Sequence, residues 1–161
     1  MQRRTVFALS VLVVAAATSC FAAAQDFKPD AILALERGAL DRWIKGDPQG
    51  YLEIYADNVT YFDPATARRI DGIEAMRALL TPLTGRFKLA RYEILAPDVY
   101  RRGDLAVLSY NLVTYAEGPD GELTARRWNT TSAYALIGGR WKIVHNHFSL
   151  TQPQAASAPA K

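Results

Sequence analysis

The stretch LAVLSYNLVTYAEGPDGELTARRWNTTSAYAL, residues 105–136, decides the fold. It holds two runs rich in Tyr, Val, Thr and Trp, Leu105 to Tyr115 and Leu123 to Leu136, which suit a pleated, half-buried surface. Between them Gly118-Pro119-Asp120-Gly121 supplies the positive φ that a tight hairpin needs. The same grammar extends outward. Gly138-Gly139 leads into a run from Trp141 to Leu150, and Arg102-Gly103-Asp104 follows a run from Phe87 to Tyr100. Four long strands joined by short turns form an antiparallel meander. Pro97, which cannot donate to a ladder, predicts a bulge or kink in the first of them.

The N-terminal half has helical spacing instead. From Pro29 to Lys45, residues Ile32, Leu35, Ala39, Leu40, Trp43 and Ile44 recur at three- and four-residue steps, and Gly46 ends the segment. A short second helix is expected over Pro48 to Tyr55, with Tyr51, Leu52 and Tyr55 facing inward. A turn then falls at Asp57-Asn58, and a brief strand runs from Val59 to Asp63. Ile73, Met76, Leu79 and Leu80 give a third helix, closed by Pro82 and Gly85. Helices first and long strands after imply an α+β fold, about three N-terminal helices laid on one face of a curved, antiparallel-rich sheet, with space for a pocket between the layers.

The 161 residues suit one domain over 25–150. Residues 1–24 are expected to be a signal peptide, because Arg3-Arg4, the apolar run Val6 to Ala17 and the small residues Ala22-Ala23-Ala24 follow in the usual order. The run is too short for a membrane span. The protein is therefore expected to be periplasmic or secreted. Cys20 after Ala17-Thr18-Ser19 offers an alternative lipid-anchored start. It is the only cysteine, so disulfides and thiolate metal sites are not expected in the domain. Losing residues 1–24 removes Arg3 and Arg4 and no acid, so a formal charge of +3 becomes +1. The remaining Arg pairs are interleaved with acids, which excludes a nucleic-acid partner. Residues 151–161, made of Ala, Pro, Gln and Ser, read as a disordered tail.

Tyr55-Ala56-Asp57-Asn58-Val59-Thr60, Asp63-Pro64 and Gly72-Ile73-Glu74-Ala75-Met76-Arg77 resemble the early half of the nuclear transport factor 2-like superfamily. Trp141-Lys142-Ile143-Val144-His145-Asn146-His147-Phe148-Ser149 resembles the last strand of the calcium/calmodulin-dependent protein kinase II association domain and its SnoaL-like relatives. The resemblance implies a cone-shaped sheet enclosing a small-molecule pocket that needs no cofactor, and a homodimer or larger homo-oligomer associating through the open face of the sheet. Asp63 matches the proton-moving aspartate of ketosteroid isomerases, whose oxyanion tyrosine falls here at Ala39 and whose protonated acid falls near Thr131. Steroid isomerisation is accordingly not implied. The arginine that the kinase domain carries is replaced by Ser132.

Asp63 as base, Tyr61 as its hydrogen-bonding neighbour, and His145 or His147 as acid or orienter would serve isomerisation, cyclisation or dehydration of a small carbonyl compound. The two histidines are expected to share a face with Trp141, Ile143 and Ser149. They give two ligands without a third, so no metal is expected. Arg127, Asn129 and Thr131 form a polar row that either lines the pocket or is an ordinary exposed face. Trp43, Tyr92, Tyr110 and Ser149 complete the expected lining. The same pocket would equally serve a binding or oligomerisation module of the cell envelope.

Overall fold

The computed structural model describes residues 28–151. The signal-peptide reading of residues 1–24, Cys20 included, and all of the tail beyond Thr151 lie outside them.

Three helices come first, α1 (Pro29–Trp43), α2 (Gln49–Ile54) and α3 (Ile73–Leu80), followed by a 3-10 turn at Thr81–Leu83. Pro29 opens α1, where its fixed φ suits the first turn and its missing N–H costs nothing. The strands are β1 (Tyr55–Phe62), β2 (Ile70–Asp71), β3 (Arg91–Arg102), β4 (Leu105–Glu117), β5 (Leu123–Ile137) and β6 (Arg140–Leu150). They make one sheet in the order β2-β1-β6-β5-β4-β3. This is the expected α+β layer with the expected meander from β3 to β6. β1 and β6 pair in parallel, which no hairpin signal announces.

Two local features depart from simple alternation. Around Pro97 the β3–β4 register slips between Leu95 and Asp98, and Ala96 takes φ 47°, so the expected bulge is present. A second bulge is unsignalled: Tyr134 pairs with Ile143 but Ala133 pairs with His145, leaving Val144 without an opposite number. An extra residue exchanges the faces of everything beyond it. β1 also starts earlier than the pattern suggests, because Asp57-Asn58 falls in a register shift within the strand and not in a turn. The two-residue β2 pairs with Thr60 and Tyr61, too short to leave a periodic trace.

α1 lies on the inner face of the sheet. Ile32, Ala39 and Leu40 bury against Leu108, Tyr110, Leu112, Tyr134 and Ile143. Each fully buried aliphatic side chain contributes roughly 1.5–3 kcal/mol. A strap at 84–90 is tied to the end of α1 by hydrogen bonds from Gly85 N to Gly46 O (2.8 Å) and from Leu89 N to Ile44 O (2.9 Å). Gly46 is required there: its φ is +79°, and a Cβ would stand 2.5 Å from the Phe87 carbonyl oxygen. The strap holds Phe87 and Leu89 over the wide end of the sheet. Between it, the helices and the sheet is a cavity.

Candidate functional site

The cavity has a volume of about 390 Å³. Its walls are mainly apolar, with aromatic rings from α1, α2, β1, the strap, β5 and β6. Trp43 from α1 meets Phe87 of the strap at 4.8 Å between ring centroids and Tyr51 of α2 at 6.1 Å. Tyr51 stacks on Tyr55, and Phe148 of β6 packs edge-on to both Tyr51 and Trp128 of β5. Rings locked in this way keep a hollow open, because collapse would require all of them to leave their packing minima. Trp128 is fixed further by its indole N–H, which donates to the Thr114 hydroxyl at 3.1 Å.

Polar groups enter this wall at only a few points. Tyr61 and Asp63 both line it, on the side where β1 ends. The Tyr61 hydroxyl donates to Asp63 Oδ2 at 3.2 Å, and the Ala65 amide donates to Oδ1 at 2.7 Å. A half-buried carboxylate at the cavity wall is thus held with one oxygen on a turn amide and the other on the Tyr61 hydroxyl. Burial, then the Asp63 charge, pushes the Tyr61 phenol far above its usual range, so it remains a donor at any physiological pH. Arg126, an exposed residue of β5 whose guanidinium lies 5.6 Å from the Trp128 ring, also contributes to the lining.

The expected convergence of four groups does not occur. The bulge at Val144 turns Ile143, Asn146 and Phe148 inward and leaves His145 and His147 on the opposite, open face of the sheet. There His145 Nδ1 is 2.8 Å from the Thr60 hydroxyl, and both imidazoles pack edge-on to Phe62. Burial, then His147 and Arg69, lowers the His145 pKa. Neither histidine can act on a molecule in the cavity, and they do not share a face with Ile143.

The proposed lining is corrected in the same way. Trp43 does form cavity wall. Arg127, Asn129, Thr131 and Ser149 are on the open face, where Asn129 pairs with Asn111 across the ladder and accepts its amide hydrogen bond at 2.9 Å. The inward row of β5 is the alternate one: Trp128, Thr130, Ser132 and Tyr134. Tyr92 tethers β3 to α1, donating to Asp41 at 2.8 Å; burial and that carboxylate raise its pKa to about 12. Tyr110 also turns inward but is spent on another partner.

That partner is Glu36, which sequence reasoning missed. It is 0% exposed, and four hydroxyls donate to it. Tyr51 (2.9 Å) and Tyr110 (2.8 Å) reach Oε1, while Tyr134 (2.6 Å) and Ser132 (3.1 Å) reach Oε2. Among the described residues no Lys or Arg pairs with it. Burial first, and the Glu36 charge next, pushes the Tyr51, Tyr110 and Tyr134 phenols well above their usual range. The signal was available in the spacing: Glu36 stands four residues after Ile32 and four before Leu40, on the buried stripe of α1.

The order of elements, the sheet and the cavity under α1 can now be compared with known proteins. A family model, the calcium/calmodulin dependent protein kinase II association domain, matches residues 30–153. The chain belongs to this family. Among solved structures, this association domain is similar to a candidate ketosteroid isomerase from Parabacteroides distasonis, with 28% identity over 80% of this chain and 91% of that one, at a TM-score of 0.69. It is similar to the association domain of the Caenorhabditis elegans kinase, at 27% identity, with coverage of 74% and 93% and a TM-score of 0.65. A nuclear transport factor 2-like protein of unknown function from Pseudomonas putida shares the fold, at 24% identity, with coverage of 83% and 95% and a TM-score of 0.68. Comparison with curated proteins finds no match.

Proposed function

We propose that this association domain binds a small, largely apolar carbonyl compound in the cavity and moves a proton on it with Asp63 as base, without a cofactor. The observation that carries this is the placement of Asp63: a carboxylate at the wall of an apolar hollow, with one oxygen on the Ala65 amide and the other on the Tyr61 hydroxyl. A positioned base of this kind contributes about 10²–10⁴-fold to proton abstraction beside a carbonyl. The similarity to a candidate ketosteroid isomerase supports the chemistry without naming the substrate. The histidines take no part, so any acid that completes the reaction must come from the cavity wall.

The test is solvent exchange. Small cyclic ketones such as 1-indanone and 2-tetralone are incubated with the protein in D2O, and deuterium entering beside the carbonyl is followed by NMR. The wild type is expected to accelerate exchange and Asp63→Asn to lose that acceleration while remaining folded. Ketones that bind and exchange equally fast with both proteins would reduce the cavity to a binding site.

A second reading, assembly, is favoured by the open face, where Phe62 (42% exposed), Tyr100 (64%) and Val107 (38%) stand clear of the core. Apolar side chains on an uncovered sheet fit a contact with a second copy. Sedimentation equilibrium of wild type and Phe62→Ser checks it, and a wild type that stays monomeric at micromolar concentration rejects it. Export rests on residues 1–24 alone; a mature chain beginning at Gln25, seen by mass spectrometry of the protein expressed from its full reading frame, is the expected result.

A further inference from the structure

The cavity lining carries one acid and one cation, and they stand on opposite sides of an apolar floor. Asp63 lies with Tyr61 at the end of β1, whereas Arg126 lies with Thr114, Ala116 and Thr124 beside the β4–β5 hairpin. Ring contacts trace the floor between them. The Tyr61 ring is 6.1 Å from that of Phe148, Phe148 is 6.4 Å from Trp128, and the Arg126 guanidinium is 5.6 Å from the Trp128 ring. Only β6 separates β1 from β5, so those two strands run roughly 10 Å apart. Ala116, Thr124 and Arg126 are exposed although they line the hollow, so it opens to solvent on the hairpin side.

Packing does not account for Arg126. Trp128 beneath it is already fixed by the bond from its indole N–H to the Thr114 hydroxyl and by the edge-on contact with Phe148. Arg42, Arg69, Arg77 and Arg91 each pair with a carboxylate, but Arg126 has no acidic partner among the described residues. Directly across the ladder from it is Thr114, which puts their Cβ atoms about 5 Å apart. The Thr114 oxygen accepts the indole proton and the hydroxyl can still donate its own. A cation and a hydroxyl donor thus stand side by side where the cavity meets water.

We infer that Arg126 is a specificity-determining residue of this cavity: with Thr114 it takes a carboxylate at the far end of the ligand from the carbonyl that faces Asp63. The substrate class is then a keto acid with an apolar, ring-sized body between its polar ends. This rests on the proton-transfer reading of the cavity and names the substrate that site prefers. The guanidinium offers its N–H groups as a planar fork that matches a carboxylate. Charge also sets the orientation. A carboxylate entering the other way would meet Asp63 in apolar surroundings, where like charges repel more than in water. The acid end therefore stays at the hairpin and the carbonyl is delivered to the base. Because Arg126 is exposed, the carboxylate keeps part of its hydration, and the gain is screened by salt and amounts to about 5-fold in affinity.

The probes are 6-acetyl-2-naphthoate and its primary amide, which share shape and carbonyl but differ in charge. Each is titrated calorimetrically into the full chain near neutral pH, and deuterium entry into the acetyl group is followed by NMR in D2O. The wild type is expected to bind the carboxylate about 5-fold more tightly than the amide at low ionic strength, and to lose most of that preference in about 1 M salt. Arg126→Gln should bind the two probes alike, and Arg126→Glu should reverse their order. Arg127→Gln, one residue away on the open face, should keep the wild-type preference. Asp63→Asn should keep a preference for the carboxylate while losing the exchange. Equal binding of the two probes by the wild type, or a preference that survives Arg126→Gln, overturns the inference, and exchange of both probes then leaves the proton-transfer reading standing. A preference that depends on Arg126 with no exchange by the wild type upholds the carboxylate end and overturns the proton transfer. Failure of both probes to bind overturns both.

Discussion

The two faces of one sheet handle polar groups in opposite ways, although β5 supplies both from adjacent residues. On the inner face Ser132 and Tyr134 are fully buried, and each is committed to Glu36. On the open face Asn129 Oδ1 accepts hydrogen bonds from the Asn111 amide and the Thr151 hydroxyl, all within reach of water. Inner-face polarity is expensive, and Ser132 and Tyr134 are held there by one shared acceptor, whereas the buried Thr130 hydroxyl and Asn146 amide make no hydrogen bond; open-face polarity is cheap and interchangeable. Function is therefore to be sought where polar atoms are kept despite their cost.

Alkaline titration should give the largest effect and tests the inner face as a whole. Tyr51, Tyr55, Tyr110 and Tyr134 have raised pKa values in the fold, so they stay protonated while their unfolded counterparts ionise near pH 10. Their stabilisation is present below that pH and is lost as pH rises, by about 1.4 kcal/mol per pH unit for each tyrosine. Denaturant midpoints from pH 8 to 11 should fall steeply above about 10, and a flat profile would break the contrast. Glu36→Ala comes next. It strips the acceptor from four buried hydroxyls and should lower stability by roughly 3–4 kcal/mol in urea unfolding.

The open face gives the smaller effects. His145 has its pKa lowered in the fold, so it resists protonation there; its contribution is intact above about pH 6.5 and declines as pH falls below that value. Because the ring is largely solvated the loss should stay under about 1 kcal/mol, and His145→Gln should remove it from the acid limb of the stability profile. Arg127→Ala should move stability by no more than about 0.5 kcal/mol by the same assay. A larger change would mean that this face is covered in solution.

Much of this contrast was legible in the residues and part of it was not. The strands from β3 to β6 follow from their Tyr, Val and Thr content and from glycine turns, because those signals act within a few residues. The bulge at Pro97 was readable since proline leaves a gap in any ladder. Val144 carries no such mark: a valine fits a regular strand, and only the two pairings around it disclose the extra residue. That one position moved His145 and His147 to the wrong side of the sheet. Asp63 and Tyr61 were read together because they stand two residues apart at one strand end, and both line the cavity. Glu36 was passed over because a charged residue on an amphipathic helix is assigned to solvent by habit, even when its spacing places it on the buried stripe.

The position of β6 has a consequence for how the chain is made. β6, the last of the described strands, lies between β1 and β5, and Thr60 meets His145 across a sequence separation of 85 residues. Until residues 140–150 have left the ribosome, β1 has only the two-residue β2 beside it. Such distant pairing is slow to form. A nascent or prematurely terminated chain would therefore expose the bare edge of β1, with Tyr55, Val59 and Tyr61 uncovered. It would be a substrate for chaperones before it could hold any small molecule.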